Sequence, residues 1–290
     1  MSLHKLDVSS WRDGLHTDVS DEALDALESG QILVLPLPFA LLEREQPLLS
    51  PSMDGSRKNI SFNPVNGKIK GAGDDAEQAA ALHGLLSRYH EQTRALAEKL
   101  FPDYRTGLMD GRTSYRPTEV AGRKVSSYRK DDTRLHVDAF PATPVQGRRM
   151  LRFFTNVNPN GQPRRWNVGE PFAAVAQRFM PRVPAYNAFA ARLMVTVKIT
   201  KSLRSAYDHS MLHIHDGMKA DLDYQASVSK TPAEFAPGTT WVVYSDQVSH
   251  AALGGRYMME QTFYLPVESL RYPDRSPLKV LEQLAQRPLI

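Results

Sequence analysis

This 290-residue sequence predicts an antiparallel jelly roll with flanking helices, mainly β and of the α+β class. Three observations carry that reading. From Thr106 onward, short apolar and β-branched runs alternate with turn residues at a spacing typical of sandwiches and barrels. One long amphipathic run stands ahead of them, and no internal repeat or low-complexity tract points elsewhere.

The chain is read as one domain over 1–290. Residues 1–105 supply elements that pack on the core. Within them, Ser20 is an N-cap followed by Asp21 and Glu22, and Gly30 closes a helix over 20–28. Residues 31–35 read as a strand, after which Pro36 and Pro38 confine the chain to an edge or loop. Residues 48–74 are rich in Pro, Gly, Ser and Asn, so a surface segment is expected, extended only at 59–62 and 68–70. Over 74–101, Leu82, Leu85, Leu86, Tyr89, Leu96 and Leu100 recur at helical spacing and Pro102 marks the end, giving a helix that buttresses a sheet.

The core, 106–266, holds strand candidates at 113–116, 124–128, 133–138, 150–156, 193–200, 239–245 and 257–265, with a helix inserted at about 206–225. In the closing segment, 274–290, Ser276 is an N-cap, Pro277 takes the first helical position, and Leu278, Leu281 and Leu284 share a side. That amphipathic helix either docks on the protein or lies on a membrane surface.

Composition narrows the chemistry. The absence of cysteine excludes disulfides, thiolate nucleophiles and cysteine-ligated zinc or iron–sulfur sites, so a metal must use His, Asp or Glu. The N-terminus lacks a basic region followed by a long apolar run, so a cytoplasmic location is expected. The best apolar run, 32–42, is short and broken by two prolines, which excludes a membrane span. A net charge of +4 and a pI near 9.2 suit an anionic substrate or membrane surface better than nucleic acid.

On a strand His136 and Asp138 project to the same side, because successive side chains alternate. A third ligand is available from His250, 112 residues beyond Asp138 after another strand-like run. Two histidines and a carboxylate with open coordination positions suit a non-haem Fe(II) oxygenase; ordinary strand-end polar residues are the alternative. A rival pair, His209 and His213, lies one helical turn apart, but no glutamate neighbours the first histidine, and a polar helix stripe explains it. His215 is left as a substrate contact. Along 147–156 Arg148, Arg152 and Asn156 share a face, with Arg149 opposite. An arginine among barrel aromatics needs a carboxylate, which makes Arg152 the candidate for the distal carboxylate of a 2-oxoacid, with Asn156 and Gln261 as further cosubstrate contacts. Arg134, Arg148 and Arg149 are candidate substrate contacts.

The blocks His136-Val137-Asp138-Ala139-Phe140-Pro141, 147–159, 166–172, 215–221, 246–252 and 260–263 together resemble the Kdo hydroxylase family, Kdo being 3-deoxy-D-manno-oct-2-ulosonic acid. The resemblance runs from about Thr113 to Leu265. It implies a double-stranded β-helix (jelly-roll, cupin-like) core and an Fe(II)- and 2-oxoglutarate-dependent dioxygenase that uses O2 to hydroxylate C3 of Kdo, giving Ko. It further implies a lipid A precursor as substrate, met peripherally at the inner face of the cytoplasmic membrane. On that match His136, Asp138 and His250 carry over as catalytic iron ligands. Arg129, Lys130, Arg134, Arg148, Arg149, Arg164 and Arg165 become candidates to grip Kdo carboxylates and lipid phosphates. Two other readings stay open: a related oxygenase acting on a small soluble acid or sugar, and a non-enzymatic module that binds anionic glycolipid.

Overall fold

Side-chain alternation along the strands sets the layers of this molecule. The computed structural model describes residues 2–12, 17–50 and 59–290, so part of the expected surface segment, 51–58, lies outside the described residues. Eleven strands are described: β1 (Leu3–Lys5), β2 (Ile32–Leu35), β3 (Ile60–Asn63), β4 (Lys68–Lys70), β5 (Met109–Arg116), β6 (Arg149–Asn156), β7 (Arg164–Val168), β8 (Thr231–Phe235), β9 (Thr240–Tyr244), β10 (His250–Gly254) and β11 (Met258–Leu265). The helices are α1 (Thr17–Glu28), α2 (Ala76–Leu100), α3 (Phe172–Phe179), α4 (Ala188–Thr196), α5 (Ala206–Ala220), α6 (Leu222–Ser227) and α7 (Pro277–Ala285). An eight-stranded sheet runs β1-β2-β9-β6-β11-β5-β3-β4, and a three-stranded sheet runs β10-β7-β8.

The two sheets share one apolar layer. Phe154, Trp241, Val243 and Met258 from the large sheet meet Trp166, Val168, Phe235 and Ala252 from the small one. Phe235 stacks on Trp241 with centroids 4.0 Å apart. Burying each such Phe or Val contributes about 1.5–3 kcal/mol. The next residue along each strand points outward: Leu151, Phe153, Val242, Tyr244, Phe263 and Leu265 pack with Leu24 and Leu27 of α1 and Leu96 and Leu100 of α2. The expected buttress is therefore present. Asp75 caps α2 by accepting from the Glu77 and Gln78 N–H groups at 2.9 and 3.0 Å.

Three strand expectations give way. Residues 193–200 end α4 instead: the β-branched run has strand propensity, but the Asn187 side chain caps a helix started by Ala188, Ala190 and Ala191. Residues 124–128 form no ladder and lead into a single 3-10 turn, Tyr128–Lys130. Residues 133–138 make one isolated bridge rather than a strand. Conversely β7, β8, β10, α3 and α4 are additions, and the inserted helix divides into α5 and α6 at Asp221.

The terminal helix docks on the protein. Ser276 caps α7, Leu278, Leu281 and Leu289 are buried, and the Tyr207 N–H donates to the Leu289 carbonyl. Among the described residues no helix is long and apolar enough to cross a membrane.

Candidate metal centre

Two histidines far apart in sequence meet through their own backbones. The His136 N–H donates to the His250 carbonyl at 3.0 Å and the His250 N–H returns the bond to His136 at 2.9 Å. This is the closely hydrogen-bonded pair of an antiparallel ladder, in which directly opposed side chains leave on one face. Asp138 follows two residues on, its N–H bonded to the Ser245 carbonyl at 2.8 Å, and so joins the same face. The donor atoms of His136, Asp138 and His250 lie within 4.8 Å of one another.

Each imidazole has one nitrogen committed. Nδ1 of His136 bonds the Arg134 carbonyl at 2.8 Å, and Nδ1 of His250 bonds the Val248 carbonyl at 2.8 Å. A carbonyl only accepts, so both Nδ1 atoms carry the proton and both Nε2 lone pairs are free for a metal. Burial, reinforced by the neighbouring His136, holds His250 down to about 4 and therefore neutral. Trp166 stacks on the His250 ring at 4.8 Å. Burial raises the Asp138 carboxyl, but the Arg152 guanidinium beside it outweighs that and holds the group well below the usual carboxylate range. Two imidazoles and one carboxylate, aimed at one point, fit a divalent iron ion with positions to spare.

The segment bearing His136 is gripped on its other edge by a side chain. The Gln225 amide accepts from the Leu135 N–H at 2.9 Å and donates to the Leu135 carbonyl at 2.9 Å, as a neighbouring strand would. Gly169 fits closely behind: a Cβ there would stand 2.6 Å from Ser249 Oγ and 3.2 Å from Leu135 Cδ1.

A cavity of about 1150 Å³ opens over His136 and Asp138, walled by Ala139, Phe140 and Leu212 and rimmed by Arg123, Lys124, Arg129 and Lys130. Arg152 lines it too, held between Asp138 and Glu260. Glu260 in turn accepts from Arg116 Nε at 2.6 Å, so charges alternate along Asp138, Arg152, Glu260 and Arg116. Arg152 Nε is buried with no hydrogen-bond partner. Arg116 and Arg152 also line an adjoining cavity of about 360 Å³. His215 reaches the larger cavity with its ring 5.4 Å from that of His136, and its Nδ1 bonds Asp216 at 2.9 Å.

Other expected residues lie elsewhere. Gln261 faces away from the metal: on β11 it alternates with Glu260, and its Oε1 accepts from Thr113 at 2.5 Å on the α2 side. Asn156 shares Arg152's face but spends its amide on the Gln162 and Phe235 carbonyls, locking the turn after β6. Arg149 is buried on the outer face with Asp246 at 2.8 Å, which excludes it from substrate contact. Arg134 is pinned by Asp131 and the Lys219 carbonyl, Arg164 is buried against the Gly255 carbonyl, and Arg148 lines neither cavity. The rival His209 bonds the Pro184 carbonyl, and His213 is exposed. Sequence reasoning missed Arg116, Gln225 and Lys124; only the alternation of 113–116 pointed toward Arg116.

A family model described as 3-deoxy-D-manno-oct-2-ulosonic acid (Kdo) hydroxylase matches residues 10–288. Among solved structures, the Kdo hydroxylase KdoO, a non-heme Fe(II) alpha-ketoglutarate-dependent dioxygenase, is similar in several complexes. That with alpha-ketoglutarate and Fe(III) is 42% identical over 100% of this chain and 98% of that one, with a TM-score of 0.96. That with cobalt(II) is 43% identical over 99% and 97%, also at 0.96. The complex with succinate and Fe(III) is 42% identical over 99% and 97%, at 0.95. No curated protein matches the sequence.

Proposed function

This chain belongs to the Kdo hydroxylase family and is an Fe(II)- and 2-oxoglutarate-dependent dioxygenase, and on that footing we propose that it hydroxylates C3 of Kdo carried on a lipid A precursor, giving Ko. The observation that carries the reading is the convergence of His136, Asp138 and His250, the first two of which line a cavity rimmed with basic side chains. We assign those three as the iron ligands.

When bound, iron with 2-oxoglutarate and O2 supplies an oxidative decarboxylation to succinate and CO2 that delivers one oxygen atom to a C–H bond. The protein's share is position and charge. The Arg134 and Val248 carbonyls fix which ring nitrogen each histidine presents. Arg152 keeps Asp138 ionised, and its unpartnered Nε is the donor left for a cosubstrate carboxylate, with Arg116 beside it. Phe140, Ala139 and Leu212 give the cavity an apolar wall that limits water near the reacting carbon. At the rim, Lys124 and Lys130 carry no carboxylate partner among the described residues and suit the carboxylate of Kdo or a lipid phosphate. His215, oriented by Asp216, presents its free ring nitrogen to a sugar hydroxyl. Work on such a lipid places the protein at the inner face of the cytoplasmic membrane.

Mass spectrometry of a Kdo-bearing lipid A precursor after incubation with enzyme, Fe(II), 2-oxoglutarate and O2 tests this. One added oxygen on Kdo is expected. Succinate release stimulated only by a soluble acid or sugar would overturn the lipid substrate while leaving the reaction class intact.

A further inference from the structure

Between Glu170 and Asp208 the sequence has no acidic residue and six basic ones: Arg178, Arg182, Arg192, Lys198, Lys201 and Arg204. The same stretch is where apolar side chains are left in water. Five of the thirteen large apolar side chains exposed among the described residues fall here: Phe189 at 77%, Leu193 at 51%, Val197 at 54%, Ile199 at 60% and Leu203 at 44%. Such clustering separates them from the singly scattered apolar residues of an ordinary surface. In α4 only Ala191 is buried. The helix ends at Thr196, and Lys198 just beyond it, with a left-handed φ of 59°, turns the chain so that the apolar run continues.

From these observations we propose that α4 and the turn after it, residues 188–203, form a membrane-docking surface that seats on anionic phospholipid. Apolar side chains flanked by cations, without acids, match the acyl and headgroup layers of such a surface in turn. Arg192, Lys198 and Lys201 are exposed and carry no ion pair among the described residues, so their charge is available to lipid. Their long stems let the charges stay at headgroup level while neighbouring rings and aliphatic chains go deeper. The platform is firmly joined to the body: the Tyr186 hydroxyl donates to the Arg204 carbonyl at 2.7 Å, and Arg204 donates to the Pro141 carbonyl at 2.7 Å.

It also stands beside the metal cavity. The Lys201 N–H donates to the Ala142 carbonyl at 3.0 Å, on the loop that runs from Asp138, and Lys201 lines the smaller cavity with Phe140 and Arg152. A membrane seated on α4 therefore lies next to the path by which a lipid-linked sugar would enter. The terminal helix offers less, since α7 has turned Leu278 and Leu281 inward. The docking stands on the surface alone; its use in turnover rests on the lipid-linked substrate proposed above.

Sedimentation with bare vesicles, one set containing phosphatidylglycerol and one of phosphatidylcholine only, reads the docking without any sugar. The full chain is expected to bind the anionic set and to lose binding as salt is raised. Phe189→Ser/Leu193→Ser/Ile199→Ser should lower the bound-to-free ratio at least roughly tenfold, with an unchanged melting temperature and iron content. Arg192→Glu/Lys198→Glu should do the same without touching the apolar residues, and decides the matter if the triple variant fails to fold. Equal sedimentation of wild type and charge variant, absence of vesicle binding by either, or a lipid-free dimer that the serine variant breaks would each overturn the proposal, the last by showing that a second copy covers this face. Succinate release with the glycolipid dispersed in detergent reads the proposed reaction separately.

Discussion

In both site histidines one ring nitrogen is already bound to a carbonyl, so replacement removes a metal donor that no nearby group can restore. His136→Ala and His250→Ala are each expected to abolish stoichiometric iron binding and to lower succinate release by more than about a hundred-fold, beyond what loss of a supporting group does; iron content and turnover check this. Arg152→Ala should raise the 2-oxoglutarate concentration needed for half-maximal turnover at least about tenfold and lower stability by about 3–5 kcal/mol, because Asp138 and Glu260 lose their shared buried counter-ion. An unchanged half-saturation would send the carboxylate elsewhere, with Arg116 the next residue to change. At this scale the sequence was informative where geometry is local: the two-residue step from His136 to Asp138 guarantees a common face. It was uninformative about Gln261 and Asn156, since neither the parity of β11 nor the turn after β6 can be read without its partners, and a shift of one residue reverses a strand's faces.

Elements position the site through edges rather than through length. The His136 segment makes only one bridge, and Gln225 on α6 adds both backbone hydrogen bonds at Leu135 to those made with His250 and Ser245. Gln225→Ala is expected to weaken iron affinity about 10–100-fold with little change in secondary structure, as losses of second-sphere support do; anaerobic metal titration and circular dichroism separate the two effects. Gly169→Ala should push on both ligand-bearing segments and cost about 1–3 kcal/mol, read from the thermal midpoint. Long elements with a sustained period were legible: α2 recurs at helical spacing for its whole length, and β6 and β11 are eight residues each. β7, β8 and β10 are five residues each, too short for alternation to rise above chance, and Pro232 inside β8 reads as a loop. Residues 193–200 misled for a different reason: an apolar β-branched run left on the surface has the composition of a buried strand.

At the scale of the molecule the closing helix is part of the fold. Leu281→Ala is expected to lower stability by about 2–5 kcal/mol, measured by denaturant titration, and to leave vesicle binding of the folded protein unchanged. The jelly-roll class was readable because many short strands after a long helix permit few packings; the insertion between β7 and β8 was readable only in part, because the sequence does not say which of its helices turn an apolar face outward. The reciprocal backbone bonds between His136 and His250 also set an order of events. A ribosome must reach the first residue of β10 before the second histidine exists, and a ladder closing across so much chain forms slowly relative to local helices. Metal loading is therefore a late step in the protein's biogenesis, and nascent or truncated chains that end before His250 lack one of its donors.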